Sequence, residues 1–270
     1  MNKPIHTVRC IQQQVITEAR LFLRSGEAVL LTFFVPMLGM ALFVYLSREG
    51  MLGNIYGLLF RGLGGDTDFL VRYSPITFMM LGMIVYCIIA AGFEGLVPKV
   101  VRERSSGLTK QLGGTPMRAW VYLLAKALNA FVLVVIEVAL IFAVGLISSE
   151  FSLKGNWLDL GFLLLVGTLT VAGLGYCLGN LTKSHDAAIV AVHAIYIPML
   201  LLSGAFVPIE VLPNALRVIA RCLPLTHFVS PFRSVMVEGL SLVANATNLS
   251  LLLLWMVGSW VVALRTFRWT

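Results

Sequence analysis

Long runs of apolar residues, separated by shorter polar stretches, dominate the sequence. Six of these runs reach or approach the ~18 to 20 residues that a helix needs to cross about 30 Å of hydrocarbon. Because the runs are continuous and do not alternate between apolar and polar positions, they predict helices and exclude a transmembrane β-barrel. The predicted spans are residues 28–46, 75–97, 120–147, 157–181, 187–203 and 247–264.

The composition supports the same fold class. Apolar residues make up 59% of the chain and charged residues 12%, with a mean hydropathy of +0.90. Soluble domains carry about 25% charged residues, so a soluble fold of this length is excluded. We therefore predict an all-α integral membrane protein in which residues 28–270 form one six-helix transmembrane domain.

The segment before the first span, residues 1–27, has a helical periodicity of its own. Its apolar residues recur on one helical face: Ile5, Val8, Ile11, Val15, Ile16, Ala19, Phe22 and Leu23. Most of its arginine and glutamine side chains fall elsewhere. The pattern predicts an amphipathic helix that lies in the membrane interface, with its cations near anionic headgroups. A partly ordered tail is the alternative.

Between the fifth and sixth spans, residues 204–246 are too polar in places to cross the membrane and too apolar for a plain loop. Prolines are expected to break this segment into short pieces. We predict short re-entrant helices that enter the membrane from the outer side, with their backbone sheltered by protein. The prolines are Pro208, Pro213, Pro224 and Pro231, and the residues of interest are Pro208, Glu210, Pro213 and Pro231.

A second polar stretch, residues 98–119, separates the second and third spans and holds five of the 20 basic residues. It predicts a short helix around Glu103–Leu112. The glycine pair that follows is a stop signal, because glycine adopts the left-handed conformation that ends many helices. Thr115 and Pro116 are then predicted to be the N-cap and the first-turn proline of the third span.

The distribution of lysine and arginine predicts the orientation. About twelve of these residues fall on the side that holds the N-terminal segment, the 98–119 stretch and the C-terminal tail. About seven fall on the other side, spread over longer loops. Because basic residues concentrate in short cytoplasmic loops, both termini and the 98–119 stretch are predicted to be cytoplasmic. This topology accounts for the net charge of +7 without nucleic-acid binding.

The motifs of common catalytic and metal sites do not occur in the sequence. There is no phosphate-binding G-x-x-x-x-G-K-[ST], no H-E-x-x-H, no C-x-x-C and no G-x-S-x-G. The four cysteines and four histidines are scattered, so no disulfide framework or metal-spaced cluster is indicated. These absences argue against catalysis and against a metal site in this chain.

Four ionisable residues within the predicted spans are candidates for a role in the membrane, because charged side chains are costly there. Glu94 and Lys126 lie at similar depth on antiparallel neighbours, so we predict a structural salt bridge between them. Glu137 lies about three turns beyond Lys126 on the same face. It either lines a polar path or accepts a hydrogen bond from a neighbouring helix. His193 lies nearer the cytoplasm than Glu137, and this offset gives little support to a proton relay between them.

Three motifs carry a family resemblance. The run R-E-R-S-S-G-L-T-K-Q-L-G-G-T-P at 102–116 resembles the E-R-x-x-G-T-x-x-x-L…T-P loop of type-2 ABC exporter permeases. The run L-S-G-A-F-V-P-I-E-V-L-P at 202–213 resembles the segment after that family's fifth span, and P-L-T-H-F-V-S-P-F-R at 224–233 extends the likeness. As an ordered set with six spans, the motifs cover nearly the whole chain. One departure is Leu108, where the family often has threonine; Thr109 follows immediately.

The resemblance implies a half-transporter. Two permeases, either identical or sister chains, pair in the membrane, and two ATP-binding subunits dock beneath them. ATP and magnesium are bound by those subunits, so this chain is expected to need no cofactor and to be no enzyme. The helix in the 98–119 stretch is the implied coupling helix, which inserts into a groove of the ATPase while the N-terminal helix braces it.

The residues of the 98–119 stretch agree with this role. Leu108 and Leu112 are four positions apart and offer one apolar ridge. Polar neighbours can form hydrogen bonds around that ridge. The alternative to a coupling helix is an ordinary solvated loop. The predicted coupling residues are Arg102, Glu103, Arg104, Gly107, Leu108, Gln111 and Leu112.

The predicted function is export of an amphiphilic or lipid-like substrate, or of a drug, across a bacterial cytoplasmic membrane. The likeness is to the drug- and antibiotic-export branch. One alternative is a secondary transporter or channel that works without a motor, but internal repeats are not seen and Glu137 is a lone deep acid. A second is export of a lipid-linked polysaccharide, and a third is a membrane scaffold or an enzyme subunit that transports nothing.

Overall fold

The structure is a computed structural model that describes residues 3–62, 75–115, 117–147 and 153–269. All regular elements in these ranges are helical. Six helical segments are long and apolar enough to cross a membrane, judged by length and composition. The predicted all-α membrane fold is therefore confirmed. In chain order the helices are α1 (Lys3–Arg24), α2 (Gly26–Arg48), α3 (Met51–Gly62), α4 (Pro75–Ile89), α5 (Val97–Ser105), α6 (Leu108–Gly113), α7 (Ala119–Ile147), α8 (Trp157–Leu181), α9 (His185–Leu202), α10 (Asn214–Cys222), α11 (Pro224–Arg233) and α12 (Ala246–Thr266).

Helix α4 lies at the centre of the bundle, and nearly all of its side chains are buried. The main hydrophobic core surrounds it and is completed by α7, α8 and α11. By contrast, α2, α9 and α12 expose most of their apolar side chains. Apolar exposure of this extent is expected where a helix faces lipid or a partner helix.

The second span does not end at residue 97 as predicted. A π-helical turn, Ala90–Glu94, follows α4 and leads with little interruption into α5. Close packing against α8 accompanies this irregularity. A Cβ atom added to Gly175 would lie 2.3 Å from the Gly92 carbonyl oxygen, so the two backbones approach at a distance that only glycine permits.

Different helices meet at the two ends of the bundle. At one end, α1, α5, α6 and the start of α7 meet the C-terminal tail, where the Tyr122 ring lies 5.8 Å from the rings of Phe267 and Trp269. At the other end, α3 meets the segment after α9 through a 2.9 Å hydrogen bond from the Tyr56 hydroxyl to the Phe206 carbonyl oxygen. Helix α1 and the C-terminal tail up to Trp269 therefore lie at the α5–α6 end.

The segment between α9 and α12 consists of short helices. Pro208 precedes a 3₁₀ turn, Pro213 precedes α10, and Pro224 is the first residue of α11, positions that suit a residue without an N–H group. Helix α11 is buried among α4, α8 and α12, so protein shelters its backbone. Glu210 is exposed, and its backbone carbonyl accepts a 2.7 Å hydrogen bond from Arg217.

One proline in this segment does not break the chain as predicted. Pro231 lies inside α11, which continues to Arg233 and passes directly into a π-helical turn, Ser234–Glu238. A π turn changes the hydrogen-bond register, and such local adjustments are how buried helices accommodate the missing N–H of proline.

Candidate functional site

The 98–119 stretch forms two helices where one was predicted over Glu103–Leu112. Helix α5 ends at Ser105 and α6 begins at Leu108, with Gly107 between them in the left-handed conformation at φ 75°. Ser105 and Ser106 donate side-chain hydrogen bonds to carbonyl oxygens of the preceding turn, at 2.9 and 3.1 Å. These bonds compete with the backbone hydrogen bonds that would continue the helix. Gly107 then adopts the left-handed conformation that changes the direction of the chain.

The end of α6 also differs from the prediction. Gly114 has a right-handed conformation at φ −74°, so the left-handed glycine lies before α6 and not after it. Thr115 is not an N-cap: its hydroxyl donates to the Leu112 carbonyl oxygen at 2.6 Å, and α7 begins only at Ala119. Pro116 lies outside the described residues.

The outer surface of the α5–α6 hairpin is partly apolar and partly basic. The Leu108 side chain is 42% exposed, and Arg102, Lys110 and Gln111 are exposed beside it. Leu112 is half-buried, because it packs with the C-terminal tail against the hydrophobic cluster around Tyr122. The predicted ridge of two leucines is therefore reduced to a single projecting leucine.

An ion-pair cluster connects the hairpin to α1 and α7. The Lys126 ammonium group is 2.6 Å from Glu18 Oε1 and 2.7 Å from Glu103 Oε1, and only 2% of the Lys126 side chain is exposed. Lys99 pairs with the other oxygen of Glu18, and the Tyr122 hydroxyl donates to Glu103. The cluster contains two cations and two carboxylates, so its formal charge is balanced.

The predicted Glu94–Lys126 salt bridge does not form. Lys126 is occupied by Glu18 and Glu103, while the Glu94 carboxylate lies 3.6 Å from His193 Nε2. The reason is tertiary, because Glu94 lies in the π-helical turn and α1 brings a competing carboxylate to Lys126.

Glu18 lies outside the membrane-spanning helices, and its surroundings favour the charged form. Burial alone would raise the pKa of this carboxyl group. The positive charge of Lys126 and the hydrogen bonds from Lys126 and Lys99 outweigh that effect, so the pKa lies below its ordinary value. Glu18 is therefore charged near neutral pH.

Arg104 fixes the hairpin to a further helix. Its guanidinium group donates to the Gly179 carbonyl oxygen at 3.2 Å and to the Thr182 carbonyl oxygen, at the C-terminal end of α8. A cation at this position also interacts favourably with the helix dipole. Glu103 and Arg104, two of the predicted coupling residues, therefore bind inward to neighbouring helices.

The remaining intramembrane candidates lie apart from the hairpin. Glu137 is 5% exposed, and the Cys87 thiol is its hydrogen-bonding neighbour. His193 contacts Glu94 and its Nδ1 lies 2.8 Å from the Ile189 carbonyl oxygen. Contact between Glu137 and His193 is not seen in the part of the chain that the structure describes. Nor does that part contain a group of three or more acidic, histidine or cysteine side chains arranged to hold a metal ion.

Sequence reasoning missed the residue that joins α1 to the cluster. Glu18 follows Ile11 and Val15 on the same helical stripe and precedes Phe22 on it. An acid on the apolar face of an amphipathic helix is a signal for a buried partner, because burying an unpaired charge is costly. The signal identifies Glu18 as buried, although it does not identify Lys126 as its partner.

Comparisons with known proteins place the chain in a family. The family described as "ABC-2 type transporter" matches residues 42–237, more than half of the chain. A relative from Bacillus subtilis, named "Putative transport permease YvfS", is 29% identical over 55% of this chain and 61% of its own length. The Escherichia coli protein "Probable multidrug ABC transporter permease YbhR" is 25% identical over 53% of this chain and 39% of its own length. The matched regions thus span less than two thirds of these relatives.

Proposed function

Because the chain belongs to the ABC-2 type transporter family, we propose that it is the membrane-spanning permease subunit of an ATP-driven exporter. The ATP-binding subunit docks on the exposed face of the α5–α6 hairpin. Leu108 supplies an apolar contact, and Arg102 and Gln111 supply polar contacts around it. ATP and magnesium are bound by that partner, and this chain contributes no catalytic group.

The observation that carries this proposal is the contrast between the two faces of the hairpin. Its outer face presents a leucine and exposed polar side chains, while its inner face bonds to three different helices. Glu103 connects it to α7, Lys99 connects it to α1, and Arg104 connects it to α8. A loop that only linked two spans would need no such connections.

These connections allow movement of the partner to reach the membrane helices. When the ATP-binding subunits close, the hairpin shifts as a rigid unit and carries α1, α7 and α8 with it. The permease then alternates between two arrangements, each favoured by one nucleotide state. Buried and well-packed contacts suit this task, because they move together instead of deforming continuously.

Helix α1 braces the hairpin in this proposal. A groove of about 310 Å³ lies between α1 and α6 and is lined by Gln13 and Thr17 on one side and by Leu108 and Leu112 on the other. Part of the Leu108 side chain therefore faces α1 while the rest projects. Glu18, whose ion pair with Lys126 holds α1 against α7, also lines this groove.

The assembly contains two permeases and two ATP-binding subunits in the cytoplasmic membrane of a bacterium. The second permease is an identical or a sister chain. Helix α1, the C-terminal tail and the hairpin lie at one end of the bundle, and the distribution of basic residues favours the cytoplasm for that end. The apolar faces of α2, α9 and α12 provide ample surface for a partner permease and for lipid.

The cargo is an amphiphilic molecule, a lipid-like molecule or a drug, moved outward. Two considerations support this choice over a lipid-linked polysaccharide. Relatives of the chain carry "multidrug" in their names. In addition, a cavity of about 740 Å³ with both apolar and charged lining lies beside the hairpin, a size that suits a small organic molecule.

The test is ATP hydrolysis by the copurified complex of this chain with its ATP-binding subunit. Leu108→Ser is expected to lower permease-dependent ATP hydrolysis by roughly tenfold, since losing a central apolar anchor costs on the order of 1–2 kcal/mol. The matched control is Leu216→Ser at the opposite end of the bundle, where the side chain is 39% exposed compared with 42% for Leu108. Undiminished transport by vesicles without an ATP-binding subunit would instead establish a motor-independent transporter.

A further inference from the structure

The cavity of about 740 Å³ lies between α1, α2, the π-helical turn, α5 and α7. Its walls are largely apolar, with Leu21, Phe22, Leu31, Val35 and Leu133 among them. Cavities of ~300–1,000 Å³ with apolar walls and a few polar groups are typical of sites for small organic molecules. The polar groups in the wall therefore indicate which class of molecule fits.

Glu137 is the most informative of these polar groups. Its side chain lines the cavity although only 5% of the residue is exposed. Its Oε2 atom has no hydrogen-bond partner among the described residues, and the Cys87 thiol is a weak donor to the carboxyl group. A buried carboxylate without a cation or a full set of donors is costly, so a positive group in the cavity would stabilise it.

Glu94 and Tyr86 line the same cavity and add to the negative character of its wall. Tyr86 interacts electrostatically with both Glu94 and Glu137, so it lies close to the two carboxyl groups. The neighbours of the Glu94 carboxylate are His193, whose Nε2 atom is 3.6 Å away, and the Tyr196 hydroxyl, which hydrogen-bonds to it. Neither is a lysine or an arginine, so a carboxylate oxygen can accept a further positive group. The face of a tyrosine ring attracts cations as well.

The basic residues of the cavity do not compensate these two acids. Lys99 and Lys126 line it, but Glu18 and Glu103 already pair with them. Arg102 of α5 lines the cavity as well, and its side chain is exposed. Because the charges of the cluster balance one another, Glu94 and Glu137 are the acids of the wall that have no lysine or arginine partner among the described residues.

We propose that this cavity binds monovalent organic cations with an apolar body, whose positive group is held by Glu137 and Glu94 beside the Tyr86 ring. The apolar wall covers the body of the molecule. This proposal names the class of cargo, and it rests on the proposed function only for the statement that the bound cation is exported. The binding step itself requires neither ATP nor the ATP-binding subunit.

The test uses the purified full-length chain and two probes of nearly identical size and shape, tetraphenylphosphonium and tetraphenylborate. Saturable binding of tetraphenylphosphonium is expected, and tetraphenylborate, which carries the opposite charge, is expected not to compete with it. Glu137→Gln and Glu94→Gln are each expected to weaken binding of the cation by roughly tenfold, because each removes one nearby opposite charge. Tyr86→Ala is expected to weaken it about threefold through loss of the ring.

Two further variants serve as controls. Glu137→Asp keeps the charge and is expected to retain binding of the cation. Glu49→Gln removes an exposed carboxylate outside the cavity and is expected to change nothing. Elution and melting profiles establish that each variant folds. Equal binding of the two probes, or cation binding that is unchanged by both Glu137→Gln and Glu94→Gln, overturns the proposal.

The two proposals fail separately. If Leu108→Ser lowers ATP hydrolysis while the cation does not bind, the exporter stands and its cargo is of another class. If the cation binds with the expected dependence on Glu137 while Leu108→Ser has no effect on ATP hydrolysis, the site stands and the docking surface is wrong.

Discussion

Two groups of charged residues lie at or beside the same cavity, and they differ in whether each acid has a basic partner. In the cluster of Glu18, Lys99, Glu103 and Lys126, each carboxylate has a lysine partner. At Glu137 one carboxylate oxygen has no partner among the described residues. Because burial penalises unpaired charge, the first group is suited to hold helices together and the second to receive a ligand.

The two groups also lie at different positions along α7. The balanced cluster joins α1, α5 and α7 next to the hairpin, where force from a partner would enter. Glu137 is three turns further along α7, with apolar side chains around it. One helix therefore carries both a connection to the hairpin and a cavity-lining acid, so a shift of the hairpin would move the proposed cation site.

The largest effect is expected from breaking the balanced cluster at its centre. Lys126→Met leaves the carboxylates of Glu18 and Glu103 without their shared buried cation, and we expect a loss of about 3–5 kcal/mol of stability. Thermal unfolding of the purified chain measures it. Lys110→Met removes an exposed lysine from α6 and is the control, with an expected change of at most about 0.5 kcal/mol. Equal effects of the two variants would show that the cluster contributes no stability.

An intermediate loss of stability is expected when the pH is lowered. The folded state lowers the pKa of Glu18 below the ordinary value of 4.5, so the charged form stabilises the fold above that value. This contribution is lost as the pH falls through the lower pKa of the folded state. Melting temperatures measured from pH 7 down to pH about 3 should therefore decline more steeply for the wild-type chain than for Glu18→Gln. Parallel curves would contradict the assignment of Glu18 to the ion cluster.

The smallest effect on stability is expected at Glu137. Glu137→Gln removes a buried carboxyl group that lacks a full set of partners, so we expect stability to change by at most about 1 kcal/mol, in either direction. The same unfolding measurement applies as for Lys126→Met. A loss of about 3 kcal/mol or more would mean that Glu137 is a structural ion like those of the cluster, and the contrast between the two groups would disappear.

The sequence alone determined the fold class and the positions of the long helices. Crossing a membrane requires a continuous apolar run of fixed minimum length, and that property can be counted along the chain. The amphipathic stripe of α1 and the polar stretch that holds α5 and α6 were visible for the same reason, since helical periodicity is a local pattern. The exposure of Leu108 agrees with that local pattern as well.

Only the tertiary structure decided which charges meet. Lys126 was predicted to pair with Glu94 on the neighbouring span, but it pairs with Glu18, 108 residues earlier in the chain, and with Glu103. The break at Gly107 and the π-helical turn at Ala90–Glu94 were equally hidden. Each depends on how closely two helices pack and on which side chains lie within bonding distance of a buried charge. Those are properties of distances between elements, which a pattern along one chain does not contain.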